Sequence, residues 1–293
     1  MYESGSSNDN GGNGDLASRL VELLRAPHAG LVTDIDGTIS PIVARPEEAR
    51  VVPAARTALE GLVHHLKLVA VVTGRSVDDA RSMVAIDGLT YVGNHGMEIF
   101  QHGRAEIVPE ARPWVAPLAA LLQDVLAALA PTERTGLIVE NKRVTASLHY
   151  RLAPDPDRTR QRLLEILAGT TAASGIRVEE GRRVINLLPP LMISKGSALS
   201  RIVRDHALDR VAYLGDDVTD AHAFRAMHRL RQSGEATTLS IAVVGSETPP
   251  IVRQLADAAV PSATAVAALL CKLLEGLEAS DTMRRRAPSI GSD

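Results

Sequence analysis

The chain has 293 residues, a formal net charge of −3 and only 2% aromatic residues. A nearly balanced charge and few stacking side chains exclude nucleic acid and anionic membrane as natural partners. At this length a single core is outgrown, so one larger and one smaller domain are expected. The lone cysteine, Cys271, leaves no intrachain disulfide to form, and its apolar neighbours predict a buried thiol. No apolar run reaches membrane-spanning length, and the N-terminus lacks the basic-then-apolar pattern of a signal peptide, so a cytoplasmic protein is expected.

In chain order, residues 1–14, rich in Gly, Asn and Ser, predict a disordered tail. A helix follows from Asp15, a capping residue, with Leu16, Leu20, Leu23 and Leu24 on one face. The apolar run from Ala29 then ends in Asp34-Ile35-Asp36-Gly37-Thr38. Read as a strand, it places Asp34 at its C-terminal tip, where open α/β sheets bind ligands. Alternation would turn the two acids apart, so the Gly37 turn has to bring Asp36 round. Crowded carboxylates repel, and a hard cation such as Mg²⁺ relieves them.

Ser40 to Pro46 reads as an extended loop, and a helix starts at Pro53 and runs to about His65. Leu68 to Val72 is a continuous apolar run typical of a buried parallel strand, ending in Thr73-Gly74-Arg75. Ser76 and Asp78-Asp79 suit a helix start. The segment is either a plain strand-to-helix turn or a phosphate site made of a hydroxyl and backbone amides. Tyr91 to Glu98 is a strand and a glycine-rich bend carrying Asn94 and His95.

From about Glu110 the texture changes to helix, hairpin, helix, hairpin: 114–130, 137–151, 155–169 and 176–188. That order predicts an antiparallel sheet with helices on one face, a separate α+β unit inserted between core strands. Glu140 with Lys142, and His149 with Arg151, share a strand face two residues apart, a solvated face or a ligand-facing one. Lys195-Gly196 opens a helix to about His206, and Arg210 to Gly215 is a third strand ending in Asp216-Asp217-Val218-Thr219-Asp220. Strands at 240–244 and 256–260 and a helix over 262–277 close the chain, ahead of a polar tail containing Arg284, Arg285 and Arg286.

Taken together, Asp-x-Asp-Gly-Thr, Thr-Gly-Arg, the lone lysine and Gly-Asp-Asp-x-Thr-Asp resemble the four ordered motifs of the haloacid dehalogenase superfamily. Gly-Asn-His-Gly-x-Glu, Ser40-Pro41-Ile42 and Glu-x-Lys followed by His-Tyr-Arg narrow the resemblance to its trehalose-6-phosphate phosphatases. It implies a Rossmann-like parallel-sheet α/β core, residues 15–109 and 190–279, an inserted α+β cap, residues 110–189, and tails at 1–14 and 280–293. Asp34 is implied as nucleophile, Asp36 as general acid and base, and Thr73 and Lys195 as the groups holding the phosphoryl oxygens. Mg²⁺ is implied on Asp34, Asp216 and the Asp36 carbonyl, with Asp217 and Asp220 orienting its waters and Lys195. Gly74, Arg75, Asn94, His95, Glu140, Lys142 and Arg151 are the expected substrate contacts.

Two departures stand out. The resembled pattern continues Glu-Asp-x-Phe after Asp220, where this chain has Ala221-His222-Ala223-Phe224. Near the end of the cap, Asn186-Leu187-Leu188-Pro189 lacks the usual glutamate. The expectation is a monomeric phosphatase of trehalose 6-phosphate. The alternatives are a phosphatase of another disaccharide or glycosyl-glycerate phosphate, and a non-catalytic Mg²⁺-binding regulatory module.

Overall fold

The computed structural model describes residues 10–43, 45–171, 175–181, 183–245 and 248–286. The first part of the core runs α1 (Asn10–Leu24), β1 (Ala29–Thr33), α2 (Pro53–Leu62), β2 (Leu68–Val72), α3 (Val77–Val84) and β3 (Thr90–Gly93), then a hairpin of β4 (Glu98–Gln101) and β5 (Arg104–Ile107). The insertion comprises α4 (Val115–Ala128), β6 (Ile138–Asn141), β7 (Ala146–His149), α5 (Pro156–Thr171), β8 (Arg177–Gly181) and β9 (Val184–Leu188). The core resumes with α6 (Lys195–Asp205), β10 (Arg210–Gly215), α7 (Val218–Gln232), β11 (Thr237–Val243), α8 (Pro250–Leu255), β12 (Ala258–Val260) and α9 (Ala263–Arg286).

Among the described residues the core strands form one sheet ordered β12-β11-β10-β1-β2-β3-β4-β5. All pairs from β12 to β3 are parallel, and the β3-β4-β5 edge is antiparallel. β1 and β2 are wholly buried, which explains why they read as unbroken apolar runs. β1 lies between β2 and β10 with Thr33 opposite both Val71 and Leu214. From β1 the chain winds outward on one side through β2 and returns on the other through β10. That reversal is the switch point at which open α/β sheets form their crevice. One apolar cluster packs α1, α2 and α9 on one sheet face, and a second packs α6, α7 and α8 on the other.

The insertion builds its own antiparallel sheet, β6-β7-β9-β8. Leu148, Ile185 and Leu187 point from it into a core shared with Leu118, Val125 and Leu163 of α4 and α5. The opposite face carries an uninterrupted polar row, because Glu140 pairs with Ser147, Ser147 with Asn186, and Asn186 with Glu179. A small cluster of Met97, Val108, Ala111, Val144 and Leu188 packs the core against the insertion.

Several boundaries differ from expectation. The helix expected at Asp15 begins at Asn10, so residues 10–14 are not tail; the rest of that expected tail, residues 1–9, lies outside the described residues. At the other end α9 runs to Arg286, nine residues past Leu277, with Gly276 against Val21 and Asp281 Oδ2 2.9 Å from His65 Nδ1. At that C-terminal end tertiary packing extends a helix that local composition would end. Residues 287–293 of the expected C-terminal tail also lie outside the described residues. The β4-β5 hairpin was not expected; His102 and Gly103, both at positive φ, make its two-residue turn. Cys271 is half-buried rather than buried, its Sγ 3.7 Å from the Ala54 carbonyl.

Candidate active site

The parallel register brings the tips of β1, β2 and β10 to one edge, and with them Asp34, Thr73 and Asp216. Asp34 is fixed by its own amide, which donates to Leu214 O at 2.9 Å. Gly37 sits at φ +81°, and a Cβ there would stand 2.1 Å from Asp216 Oδ2. Only glycine lets the turn after Asp36 close over the third acid. Lys195 is the first residue of α6, and it reaches the cluster because that helix lies hard against α7: a Cβ on Gly196 would meet His222 O at 2.3 Å.

Lys195 Nζ lies 2.8 Å from Asp34 Oδ2 and 2.8 Å from Asp220 Oδ1, with the lysine only 3% exposed. Asp220 is fully buried and saturated. It accepts from Lys195 and from the Tyr213 hydroxyl at 2.6 Å, and also from the amides of Asp216 and Asp217 at 3.1 and 3.0 Å. Asp217 is exposed and caps α7 through the Val218 amide at 2.7 Å. Thr38 Oγ1 donates to Asp216 Oδ1 at 3.3 Å. Tyr213 was not expected in the site; inside the apolar run of β10 it carries no sequence signal.

Burial pushes the Asp34 carboxyl well above the ordinary carboxylate range; Lys195 pulls it back, and Asp220 and Asp216 push it up further. Burial, with Asp220 behind it, likewise raises Asp216 to about 8. Burial also opposes the charge on Lys195, but Asp220 and Asp34 outweigh it and hold the amine above its usual value. The result is one cation among three acids whose oxygens lie within 4.8 Å of one another. Since Asp220 is already saturated, Asp34 and Asp216 have oxygen capacity left for a metal. Anionic oxygens in this setting fit a hard divalent cation.

A carboxyl whose folded-state pKa is raised stabilises the fold fully below its unfolded value near 3.8, and that contribution is lost as pH rises through about 8 for Asp216. In chelator the melting temperature should therefore fall between about pH 5 and pH 8. A saturating divalent cation, Mg²⁺ or Mn²⁺, should abolish the slope, and Asp216→Ala should abolish the response to the cation. Identical profiles with and without cation would contradict the metal site.

A cleft of about 510 Å³ opens between this edge and the inserted sheet. Of the site residues expected from sequence, all line it except Asn94 and Asp220. Thr73 is buried, its Oγ1 accepting the Arg75 amide at 3.2 Å. Arg75, expected on substrate, instead clamps Asp36 through Nε and Nη2 at 2.6 and 2.8 Å and holds Asp79 at 2.6 Å. A bidentate pair with a carboxylate one turn from the strand tip competes well with a ligand for the guanidinium.

Asn94, expected on substrate, does not line the cleft. It is fully buried and bridges core to insertion, with Nδ2 donating to Lys142 O at 2.9 Å and Oδ1 accepting from Thr145 Oγ1. Lys142 Nζ completes the contact by donating to Gly74 O at 3.2 Å and Ser147 Oγ at 2.9 Å. His95, at φ +59°, packs over Gly74, where a Cβ would meet its ring at 2.6 Å. Burial, then Lys195 and Lys142, push its pKa down to about 3, so the ring is neutral. Its Nδ1 is buried with no hydrogen-bond partner among the described residues.

On the roof of the cleft Glu140 lies 3.2 Å from Lys142 Nζ and 3.1 Å from His149 Nε2. Burial alone would raise the Glu140 pKa, but the close approach of His149 and the charge of Lys142 hold it at about 2. Ser147, His149, Asn186 and Glu179 join Glu140, Lys142 and Arg151 on that surface. Ser147 and Asn186, bonded at 2.8 Å, were not expected as lining residues. Their membership depends on pairing across four strands, which local sequence does not encode.

A mostly parallel sheet with catalytic-type acids at its switch point, roofed by an inserted α+β cap, is the haloacid-dehalogenase type of fold. Solved structures agree. One described as a trehalose-6-phosphate phosphatase related protein superposes with a TM-score of 0.68 at 22% identity, over 87% of this chain and 99% of that one. The C-terminal domain of C. albicans trehalose-6-phosphate phosphatase gives 0.71 at 19% identity, over 90% and 96%. Residues 32–254 match the family model described as trehalose-phosphatase, and the chain belongs to that family. Among curated relatives, the trehalose-phosphate phosphatase of Mycobacterium marinum is 37% identical over 217 residues, 70% of this chain and 53% of the relative. An uncharacterized glycosyl hydrolase of Mycobacterium tuberculosis is 35% identical over 221 residues, 72% of this chain and 16% of that much longer protein. The chain thus spans about half the length of the phosphatases it matches. Among the described residues no helix is long and apolar enough to cross a membrane.

Proposed function

We propose that this protein is a Mg²⁺-dependent phosphatase that hydrolyses trehalose 6-phosphate to trehalose and phosphate through an aspartyl-phosphate on Asp34. The observation that carries this reading is Lys195, buried and shared at 2.8 Å between Asp34 and Asp220 beneath the polar row of the cap. The names of the curated relatives and the family match support the choice of substrate.

An Asp34 oxygen attacks phosphorus, and the bond to the sugar oxygen breaks as Asp36 delivers a proton to it. Lys195 offsets the charge on the transferring group, while Thr73 and the amides of the Gly74 turn hold its remaining oxygens. Asp36, now a base, takes a proton from water, which attacks the phosphorus and releases Asp34 and phosphate. Asp34 and Asp216, with the Asp36 carbonyl, would hold Mg²⁺, which supplies charge neutralisation and orients the phosphoryl group. Arg75 acts by positioning Asp36, and Asp220 by orienting Lys195.

Substrate choice falls to the cap, since the core groups recognise only phosphate. Glu140 and Lys142 offer a charged acceptor and a donor to sugar hydroxyls, and a buried pairing left unmade costs about 1–3 kcal/mol. Glu140→Ala or Lys142→Ala should lower kcat/KM on trehalose 6-phosphate roughly 10- to 100-fold. A small aryl phosphate that does not reach the cap should be nearly unaffected, whereas Thr73→Ala should slow both substrates. Equal losses on both substrates from the cap variants, or none, would remove the cap from this role. One observation favours a second reading: Asn186 sits mid-row, bonded to Ser147, in place of the usual carboxylate. A related disaccharide phosphate or glycosyl-glycerate phosphate is the corresponding substrate.

A further inference from the structure

A second cleft, of about 280 Å³, opens beside the first between α7 and the edge of the cap. Its α7 wall carries His222, Arg225 and Arg229, all exposed and spaced three and four residues apart, hence on one helix face. Arg177 of β8 also lines it, its guanidinium 3.3 Å from Glu179 and 3.3 Å from the Pro189 carbonyl. Glu179 is the one acid among the lining residues, and it is paired. Neither the Arg225 nor the Arg229 guanidinium has an ion-pair or hydrogen-bond partner among the described residues. Like charges one helical turn apart are unfavourable unless an anion bridges them.

The two clefts share a wall, because His95 and Lys195 line both. The cationic face therefore leads toward the amine that touches Asp34. His222 adds to the contrast, standing where the resembled pattern carries an aspartate. Guanidinium forks match oxyanions with two or more acceptor oxygens. The volume is near the lower end for small-molecule sites, too small for a disaccharide phosphate held whole.

We infer that this second cleft binds a phosphate-type oxyanion between Arg177 and the Arg225–Arg229 face of α7. Two sources share that chemistry: inorganic phosphate leaving the first cleft, and the phosphate group of an organic monoester acting as an effector. The inference rests on the charge and shape of the second cleft and not on the phosphatase reading, so a binding measurement without substrate tests it separately.

The experiment is calorimetric titration of the full chain with inorganic phosphate and, separately, with phenylphosphonate at constant ionic strength. Wild type and the Arg225→Ala/Arg229→Ala double variant are compared. Wild type should bind one more anion than the variant, or bind it at least tenfold more tightly, while the variant keeps kcat on an aryl phosphate within twofold in phosphate-free buffer. Variant-sensitive binding of inorganic phosphate identifies the released product as the ligand; sensitivity to phenylphosphonate alone identifies an organic effector. Identical isotherms for both proteins with both anions would overturn the proposal. So would a parallel fall in basal kcat, which would assign these arginines to the first cleft.

Discussion

Asp34→Asn should abolish steady-state turnover, by roughly 10⁴-fold or more, the scale on which removal of a covalent nucleophile acts. Asparagine keeps the side chain's shape and can still accept from Lys195, but its amide cannot form the phosphoryl ester on which the two-step path depends. The same change removes one charge from three acid oxygens lying within 4.8 Å of one another. Repulsion from Asp220 and Asp216, which adds to burial in raising the Asp34 pKa, is thereby relieved. The variant should therefore be inactive yet melt no lower than wild type in chelator, and its stability should depend less on pH. Phosphate-release assays and thermal melts check both halves. Retention of a tenth of wild-type activity would take the nucleophile role away from Asp34.

Lys195→Ala should instead lose stability as well as activity. The amine is 3% exposed, so solvent cannot replace it, and its removal leaves Asp34 and Asp220 buried without their counter-charge. Breaking a buried ion pair from one side costs about 3–5 kcal/mol. Asp220 would keep the Tyr213 hydroxyl and two amides, which limits the damage on that side. Tyr213→Phe removes a single hydrogen bond to a charged acceptor and should cost less, about 1.5–3 kcal/mol. Denaturant unfolding in chelator measures both. A Lys195→Ala loss below that of Tyr213→Phe would mean that the lysine does not organise the cluster.

Much of this arrangement was readable in the sequence, for a definite reason. β1, β2 and β10 are buried parallel strands, so they appear as apolar runs, and each ends abruptly in the polar group it presents. Three such endings imply a shared edge once the sheet is taken to be parallel. What local sequence could not supply was anything dependent on long-range register or on a residue's second use. Tyr213 looks like one more core residue of β10, yet its hydroxyl helps hold Asp220. Arg75 follows the phosphate-type turn but is spent on Asp36 and Asp79. Asn94, within a motif read as ligand-facing, holds the cap to the core through Lys142 and Thr145. The Glu140–Ser147–Asn186–Glu179 row exists only through the pairing of four strands. The β4-β5 hairpin went unseen because His102-Gly103 replaces the more telling Asn-Gly at its turn.

The most direct measurement is phosphate release from trehalose 6-phosphate beside sucrose, glucose and glucosylglycerate phosphates, each with Mg²⁺ and with chelator. The predicted result is Mg²⁺-dependent release with kcat/KM on trehalose 6-phosphate at least about tenfold above the others, one unmade buried hydrogen bond's worth of discrimination. Release that persists in chelator, or no release from any of the four, would contradict the account.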